Sequence, residues 1–172
     1  MMDMLDLLSL WSPFDNETAF PASIYQQILE AVVTKLKALP LGGIAEDSII
    51  LRKIPTNREF DRGLLTLPGI IVSPWRGESE TGGTNLRDDV VYPVIVDLVQ
   101  KSNEDQEENL PRFLLWRERI LKAFRHQRLS GVDEVMTCSV EVLSVFNTSV
   151  FAKGYDHSAI VLKFTSRELR GV

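Results

Sequence analysis

The hydrophobic residues of this chain repeat with two different periods, and the order of those periods limits the folds that the chain can adopt. One helical pattern begins after Ser23 and recurs every fourth residue, at Ile24, Ile28, Val32 and Leu36. Ser23 and Gln26 fit a capping box at its start, and the Leu39-Pro40 step predicts its end. The first element is therefore predicted to be an amphipathic helix.

A second helical pattern covers Leu110–Gln127. One face is predicted to carry Phe113, Arg117, Ile120, Leu121 and Phe124. Asn109 is a suitable N-cap, and Pro111 suits the first turn, where the missing N–H is not needed.

Five further segments have the composition or the alternation of β-strands. They are Ile49–Ile54, Gly69–Ser73, Val90–Val99, Met136–Val142 and Ile160–Thr165. Pro93 lies inside the third segment and has no N–H for a ladder, which predicts an edge position or a bulge. The order of elements predicts an α+β fold: a mostly antiparallel sheet of about five strands, with two main helices packed on one face.

The N-terminal segment is predicted to be an arm (residues 1–22) ahead of a single domain (residues 23–172). It is dense in apolar residues, among them Leu5, Leu8 and Trp11, but it lacks the positive start of a signal peptide. The arm either folds on its own domain or docks on a neighbouring subunit. No run of residues is apolar enough to span a membrane, so synthesis in the cytoplasm is expected.

Two segments could meet a partner. Trp75–Asp89 is rich in Gly, Ser, Thr and charge, and is predicted to be a mobile loop, either a tolerated insertion or a segment that orders on a partner. The second helix is basic although the whole chain has a net charge of −5. Its outer face is either solvated and paired with the acidic residues before it, or it meets an acidic partner or a nucleic-acid backbone. The residues proposed for that contact are Arg112, Arg119, Lys122 and Arg125.

Nothing in the sequence matches a common catalytic or cofactor motif. There is no phosphate-binding glycine loop, nucleophile elbow or zinc-protease motif. Cys138 is the only cysteine, and a small buried side chain in a strand is the favoured interpretation over a catalytic thiol. Asp88-Asp89 is favoured as a solvated turn rather than an acid/base pair. We therefore expect no catalytic residues, no cofactor and no metal.

The element order, the strands Gly69–Ser73 and Val90–Val99, the glycine-rich loop between them and the closing strand Ala159–Arg167 together resemble bacteriophage tail terminator proteins, over about Ile24–Glu168. The resemblance implies a structural, non-catalytic virion protein. Such proteins form a ring, typically a hexamer, at the head-proximal end of the tail, where the ring stops growth of the tube and joins the tail to the head-side connector.

The resemblance also implies partners for this chain. They are further copies of itself, the tail tube protein and possibly the sheath, and a head-side connector or neck protein, with DNA passing through the ring without sequence-specific binding. The protein would assemble in the host cytoplasm and reside in the virion tail. The implied contact residues in the loop are Arg76, Glu78, Glu80, Thr84, Asn85, Arg87 and Asp88. A neck or tail-completion protein is the alternative, and a small α+β enzyme or ligand-binding domain is a third.

Overall fold

The computed structural model describes residues 22–53, 65–84, 86–102 and 106–170, with side chains from residue 109 onward in the last range. The predicted arm contacts Leu5, Leu8 and Trp11 lie outside the described residues, as do Asn85 and the predicted strand end at Ile54. The helices in the described ranges are α1 (Ile24–Lys37), α2 (Gln106–Phe124) and the short α3 (Thr148–Phe151). The strands are β1 (Ile49–Leu51), β2 (Gly69–Pro74), β3 (Ser79–Gly83), β4 (Arg87–Lys101), β5 (Val135–Ser144) and β6 (Tyr155–Leu169).

The strands form one sheet in the order β1-β2-β4-β6-β5, and β3 also pairs with β4. β1 and β2 are parallel, and the other pairs are antiparallel. β4 and β6 keep one register along their whole length, from the pair Arg87 and Leu169 to the pair Lys101 and Tyr155. The predicted α+β class, with a mostly antiparallel sheet and two main helices, is confirmed.

The main core lies between the two long helices and one face of the sheet. α1 contributes Ile28, Val32 and Leu36, as the four-residue repeat predicts. Ser23 caps this helix, since its side chain accepts a hydrogen bond of 3.2 Å from the Gln26 N–H. The Gln26 side chain bonds Glu30 instead of returning to the cap, so half of the predicted capping box forms.

α2 packs beside α1 through Phe113, Ile120 and Phe124, which are fully buried as predicted. Trp116 joins them and donates its indole N–H to the Gly42 carbonyl over 2.9 Å. The predicted N-cap at Asn109 is wrong, because the helix begins at Gln106 and contains Pro111. Near the start of a helix the proline removes only one backbone hydrogen bond, which packing of the following turns outweighs.

The segment predicted as a mobile loop, Trp75–Asp89, is largely a β-hairpin. β3 runs antiparallel to the first residues of β4, with Ser79 opposite Val91 and Gly83 opposite Asp88. Because β6 occupies one side of β4 throughout, β3 lies on the other side, in line with β2. The loop prediction failed because β3 gains its pairing from a neighbouring strand and not from its own composition.

The predicted edge position of Pro93 is also wrong. β4 lies in the middle of the sheet. However, the pairing of β2 with β4 ends at Val94, opposite Pro74, and the pairing of β3 begins at Val91, opposite Ser79, so Pro93 lies in the short interval between them. The Pro93 carbonyl accepts the Trp75 N–H over 2.9 Å in that interval. A residue without an N–H is tolerated there because no regular ladder bond is lost.

The second face of the sheet is buried too, although neither long helix lies on it. Ile95 and Val161 form one cluster there with Trp75 against it, and Ile71 and Val99 form another with Leu65. Side chains on this face alternate with those of the main core, as expected for strands buried on both sides. No helix in the described ranges is long and apolar enough to cross a membrane.

Candidate partner-binding surfaces

The hairpin, defined as β3 and Arg87–Val91 of β4, is the first candidate surface. Every residue of β3 is exposed, and no described strand pairs with its outer edge. At the turn, a Cβ on Gly83 would lie 2.5 Å from the Arg87 carbonyl oxygen, so only glycine allows this close approach. The hairpin therefore presents an open backbone edge, with a bulge between Glu80 and Gly82.

Two ion pairs fix the hairpin to the C-terminal end of β6. Arg167 donates hydrogen bonds of 2.7 and 2.9 Å to the two carboxylate oxygens of Asp89. Arg170 donates from Nε to Asp88 over 2.9 Å. These hydrogen bonds lower the pKa of both aspartates. Asp88 and Asp89 point to opposite sides of the strand, so the hairpin is held on both faces.

An acidic groove runs along the hairpin. It has a volume of about 340 Å³ and is lined by Glu78, Ser79, Glu80, Val90 and Tyr92. Tyr92 donates a hydrogen bond of 2.8 Å to Glu168, and its burial together with this bond raises its pKa. Tyr92 is therefore a neutral phenol that packs the base of the groove.

The structure brings some of the predicted loop contacts together and leaves others separate. Glu78 and Glu80 line the groove, whereas Asp88 is occupied by Arg170 within the chain. Arg76 stacks over Trp75 at 5.6 Å from the ring centre. Thr84 donates its N–H to the Arg87 carbonyl at the turn. The prediction that Asp88-Asp89 is a solvated turn is wrong, because both are strand residues in ion pairs.

The basic face of α2 is the second candidate surface. Several of its side chains already contact other groups of the same chain. Arg119 donates to the Pro40 carbonyl, and Lys122 pairs with Glu118 over 2.5 Å. Arg112 lies over Trp116 at 5.1 Å and bonds Asn109 over 2.9 Å. Arg125, in the turn after the helix, is exposed. The acidic side chains predicted to pair with this face lie outside the described ones.

An apolar socket at the other end of the sheet was missed by the sequence analysis. It is a cavity of about 290 Å³ lined by Leu110, Phe146, Thr148, Phe151 and Asp156. Phe146 stacks on Phe113 with ring centres 5.2 Å apart. The signal in the sequence was the pair of phenylalanines, Phe146 and Phe151, in the segment between the last two strands. That segment contains α3, capped by Asn147, which accepts the Ser149 N–H over 3.1 Å.

Cys138 is not placed for nucleophilic chemistry. Its side chain is fully buried in the main core, and burial raises its pKa to about 12. A thiol with a raised pKa is neutral at physiological pH and unreactive. The prediction that Cys138 acts as a small buried side chain is confirmed.

No protein-family model matches this sequence, and no curated protein matches it either. The function is therefore inferred from the geometry and chemistry of the hairpin, the basic face of α2 and the apolar socket.

Proposed function

We propose that this chain is a structural, non-catalytic protein of the bacteriophage tail, a terminator that forms a ring on the head-proximal end of the tail tube. The observation that carries the proposal is the hairpin, whose outer strand β3 is exposed along its whole length and whose inner strand is joined to the end of β6 by two arginine-aspartate pairs. An exposed strand edge can be extended by a strand of a partner, which is the contact proposed for β3.

The acidic groove beside this edge indicates that the partner carries basic side chains. Glu78 and Glu80 are exposed and are not among the described ion pairs. A tube subunit that pairs with β3 and presents basic side chains to these two glutamates would match both features. The tube protein is therefore the proposed partner of the hairpin.

The basic face of α2 suits a different role in the same ring. Arg112 and Arg125 are exposed and contribute positive charge on the side of the molecule where the helices lie. They are proposed to meet an acidic neighbour, either the adjacent subunit or the head-side connector. DNA passing through the ring would contact no dedicated stacking surface and would slide without sequence-specific binding.

The proposal is tested by removing the gene from its genome and examining tails by electron microscopy. Loss of a terminator leaves tubes that grow past their normal length, because nothing stops their growth. Loss of a neck or tail-completion protein leaves tubes of normal length that do not join heads. Normal infectious particles after the deletion would overturn both assignments. In intact tails, an antibody against a tag on Val172 is expected to bind only at the head-proximal end.

A further inference from the structure

The apolar socket leaves hydrophobic side chains exposed to solvent. Leu110, Phe146 and Phe151 are 41%, 37% and 40% exposed, and they surround an open cavity of about 290 Å³. Leu114, four residues after Leu110, and Val145, next to Phe146, are also exposed. An open cavity whose apolar lining is exposed is typical of a surface that a partner covers.

We propose that the socket of one copy receives the apolar N-terminal arm of a neighbouring copy. The proposal rests on the homo-oligomer of the proposed function, but it does not depend on a place in a phage tail. Trp11, with Leu8 three residues before it in sequence, is the residue assigned to the cavity. A cavity of about 150 Å³ is enough to hold a benzene ring, so this socket has room for a large aromatic side chain.

The position at which the arm leaves the domain supports a neighbour over the same chain. Ile24, at the start of α1, lines a cavity with Arg87, Glu168 and Leu169, which places it at the hairpin end of the β4-β6 ladder. Asp156 of the socket pairs with Gln100, near the opposite end of the same ladder. The thirteen steps from Arg87 to Gln100 correspond to about 44 Å at the rise of an antiparallel strand.

Docking on the same copy would require an arm that is almost fully extended. Trp11 lies 13 residues before Ile24, and 13 fully extended residues span at most about 43–47 Å. That reach is close to the length of the ladder measured along its strands. A neighbouring copy whose socket lies beside this hairpin end is within easy reach.

Charge matches the arm to the rim of the socket. The first 11 residues contain Asp3 and Asp6 and no basic side chain. Arg112 and Lys153 each lie two residues beyond a lining residue and are exposed. Asp156 in the lining is acidic as well, but it accepts a hydrogen bond of 2.7 Å from the Gln100 side chain. The two exposed basic residues therefore favour an acidic apolar segment at this surface.

The contact joins opposite ends of two copies and is therefore heterologous. Contacts of this kind generate closed rings when the rotation between subunits closes, and filaments when it does not. The proposed exchange of arms would link each subunit to the next in one direction around a ring.

Disulfide trapping between two distinguishable chains tests the proposal. A size-tagged Trp11→Cys chain is mixed with an untagged Phe151→Cys chain and oxidised. A linked heterodimer is expected as the main product, and the double variant Trp11→Cys/Phe151→Cys is expected to give ladders of linked chains. The matched control pairs Trp11→Cys with Leu51→Cys, an exposed position on the opposite edge of the sheet. Cys138 is buried and stays out of the reaction.

The result that overturns the proposal is equally plain. A double variant that links only within one chain shows the arm on its own domain, and equal yields with Leu51→Cys show that the arm has no preferred site. A sample that stays unlinked also overturns it. As a second measurement, Phe151→Asp is expected to lower the oligomer fraction in light scattering, whereas Leu51→Asp is not. If the double cysteine variant forms ladders of linked chains but the antibody does not label the head-proximal end of tails, the arm exchange is supported and the assignment to the tail is rejected.

Discussion

Asp89 and Arg167 lie directly opposite each other on β4 and β6, and the guanidinium binds both carboxylate oxygens at 2.7 and 2.9 Å. Because Asp88 and Arg170 form the equivalent pair on the other face, the exposed hairpin is fixed to the long ladder of the sheet. These pairs join the β4 side of the hairpin to β6, whereas every residue of β3 is exposed.

The first prediction concerns acid. Hydrogen bonds from arginine lower the pKa of Asp88 and Asp89 in the folded state. Their stabilisation of the hairpin is therefore fully present above the ordinary aspartate pKa of about 3.9 and is lost as the pH falls through the lowered values. Amide hydrogen exchange of β3 is expected to accelerate over that interval beyond its intrinsic pH dependence.

Variants separate this effect from general acid unfolding. Asp89→Asn is expected to raise the exchange of β3 at neutral pH and to remove part of its additional acid sensitivity. Asp47→Asn, at an exposed position outside the hairpin, serves as the control and should leave both unchanged. If β3 exchanges equally in all three proteins at neutral pH, the ion pairs do not hold the hairpin.

The second prediction concerns the interval between β2 and β3. The Tyr25 hydroxyl accepts the Trp75 N–H over 3.1 Å and donates to the Pro93 carbonyl, which ties α1 to the irregular part of the sheet. Tyr25→Phe keeps the ring contact with Tyr92, whose centre is 5.0 Å away, and loses only these hydrogen bonds. The free energy of unfolding is expected to fall by about 1 kcal/mol.

Urea titration measures this change, with Tyr25→Ala as the comparison. The alanine variant also loses the ring packing and is expected to be destabilised more than Tyr25→Phe. Equal stability of Tyr25→Phe and the wild type would show that the hydroxyl contributes nothing to this junction.

The third prediction concerns the hairpin and the tube. Deletion of Gly77–Thr84 removes β3, but β4 keeps its full pairing with β6. The shortened protein is therefore expected to fold and to lose binding to purified tail tubes in a sedimentation assay. The double substitution Glu78→Lys/Glu80→Lys is expected to weaken the same binding, and Glu46→Lys, exposed elsewhere, is the control. Normal sedimentation of the deletion variant with tubes would reject the hairpin as the tube contact.

Local sequence patterns predicted the elements whose buried residues recur periodically within a single segment of the chain. Ile28, Leu29, Val32 and Leu36 recur at the mixed three- and four-residue spacings that one face of a helix buries, and Cys138 lies in an alternating strand where burial was expected. These features depend on neighbours within a few residues. The strand and helix order, and with it the α+β class, followed from them.

Features that depend on distant partners were not predictable in the same way. β3 has two glycines and no apolar residue, and it forms a strand because β4 is already held by β6. Pro93 broke the rule for central strands because β2 and β3 leave a gap opposite it. The socket combines Leu110 with Phe146 and Phe151, from two elements whose relative placement no local pattern encodes.

The last prediction concerns a buried polar pair on the second face of the sheet. His157 Nε2 lies 2.7 Å from Asp97 Oδ1, and the two side chains are only 12% and 5% exposed. Removing the imidazole leaves the buried Asp97 carboxyl without this hydrogen-bond partner, which typically costs about 1–3 kcal/mol, and more for a charged group. His157→Phe is expected to lower the free energy of unfolding by that order, measured by urea unfolding near neutral pH.

The double variant Asp97→Val/His157→Phe should recover much of the loss, because an apolar pair suits a face that Ile95 and Val161 already line. Lys163→Met breaks the exposed pair with Glu141 and serves as the control, with a much smaller expected change. A His157→Phe protein as stable as the control would show that Asp97 does not need the imidazole.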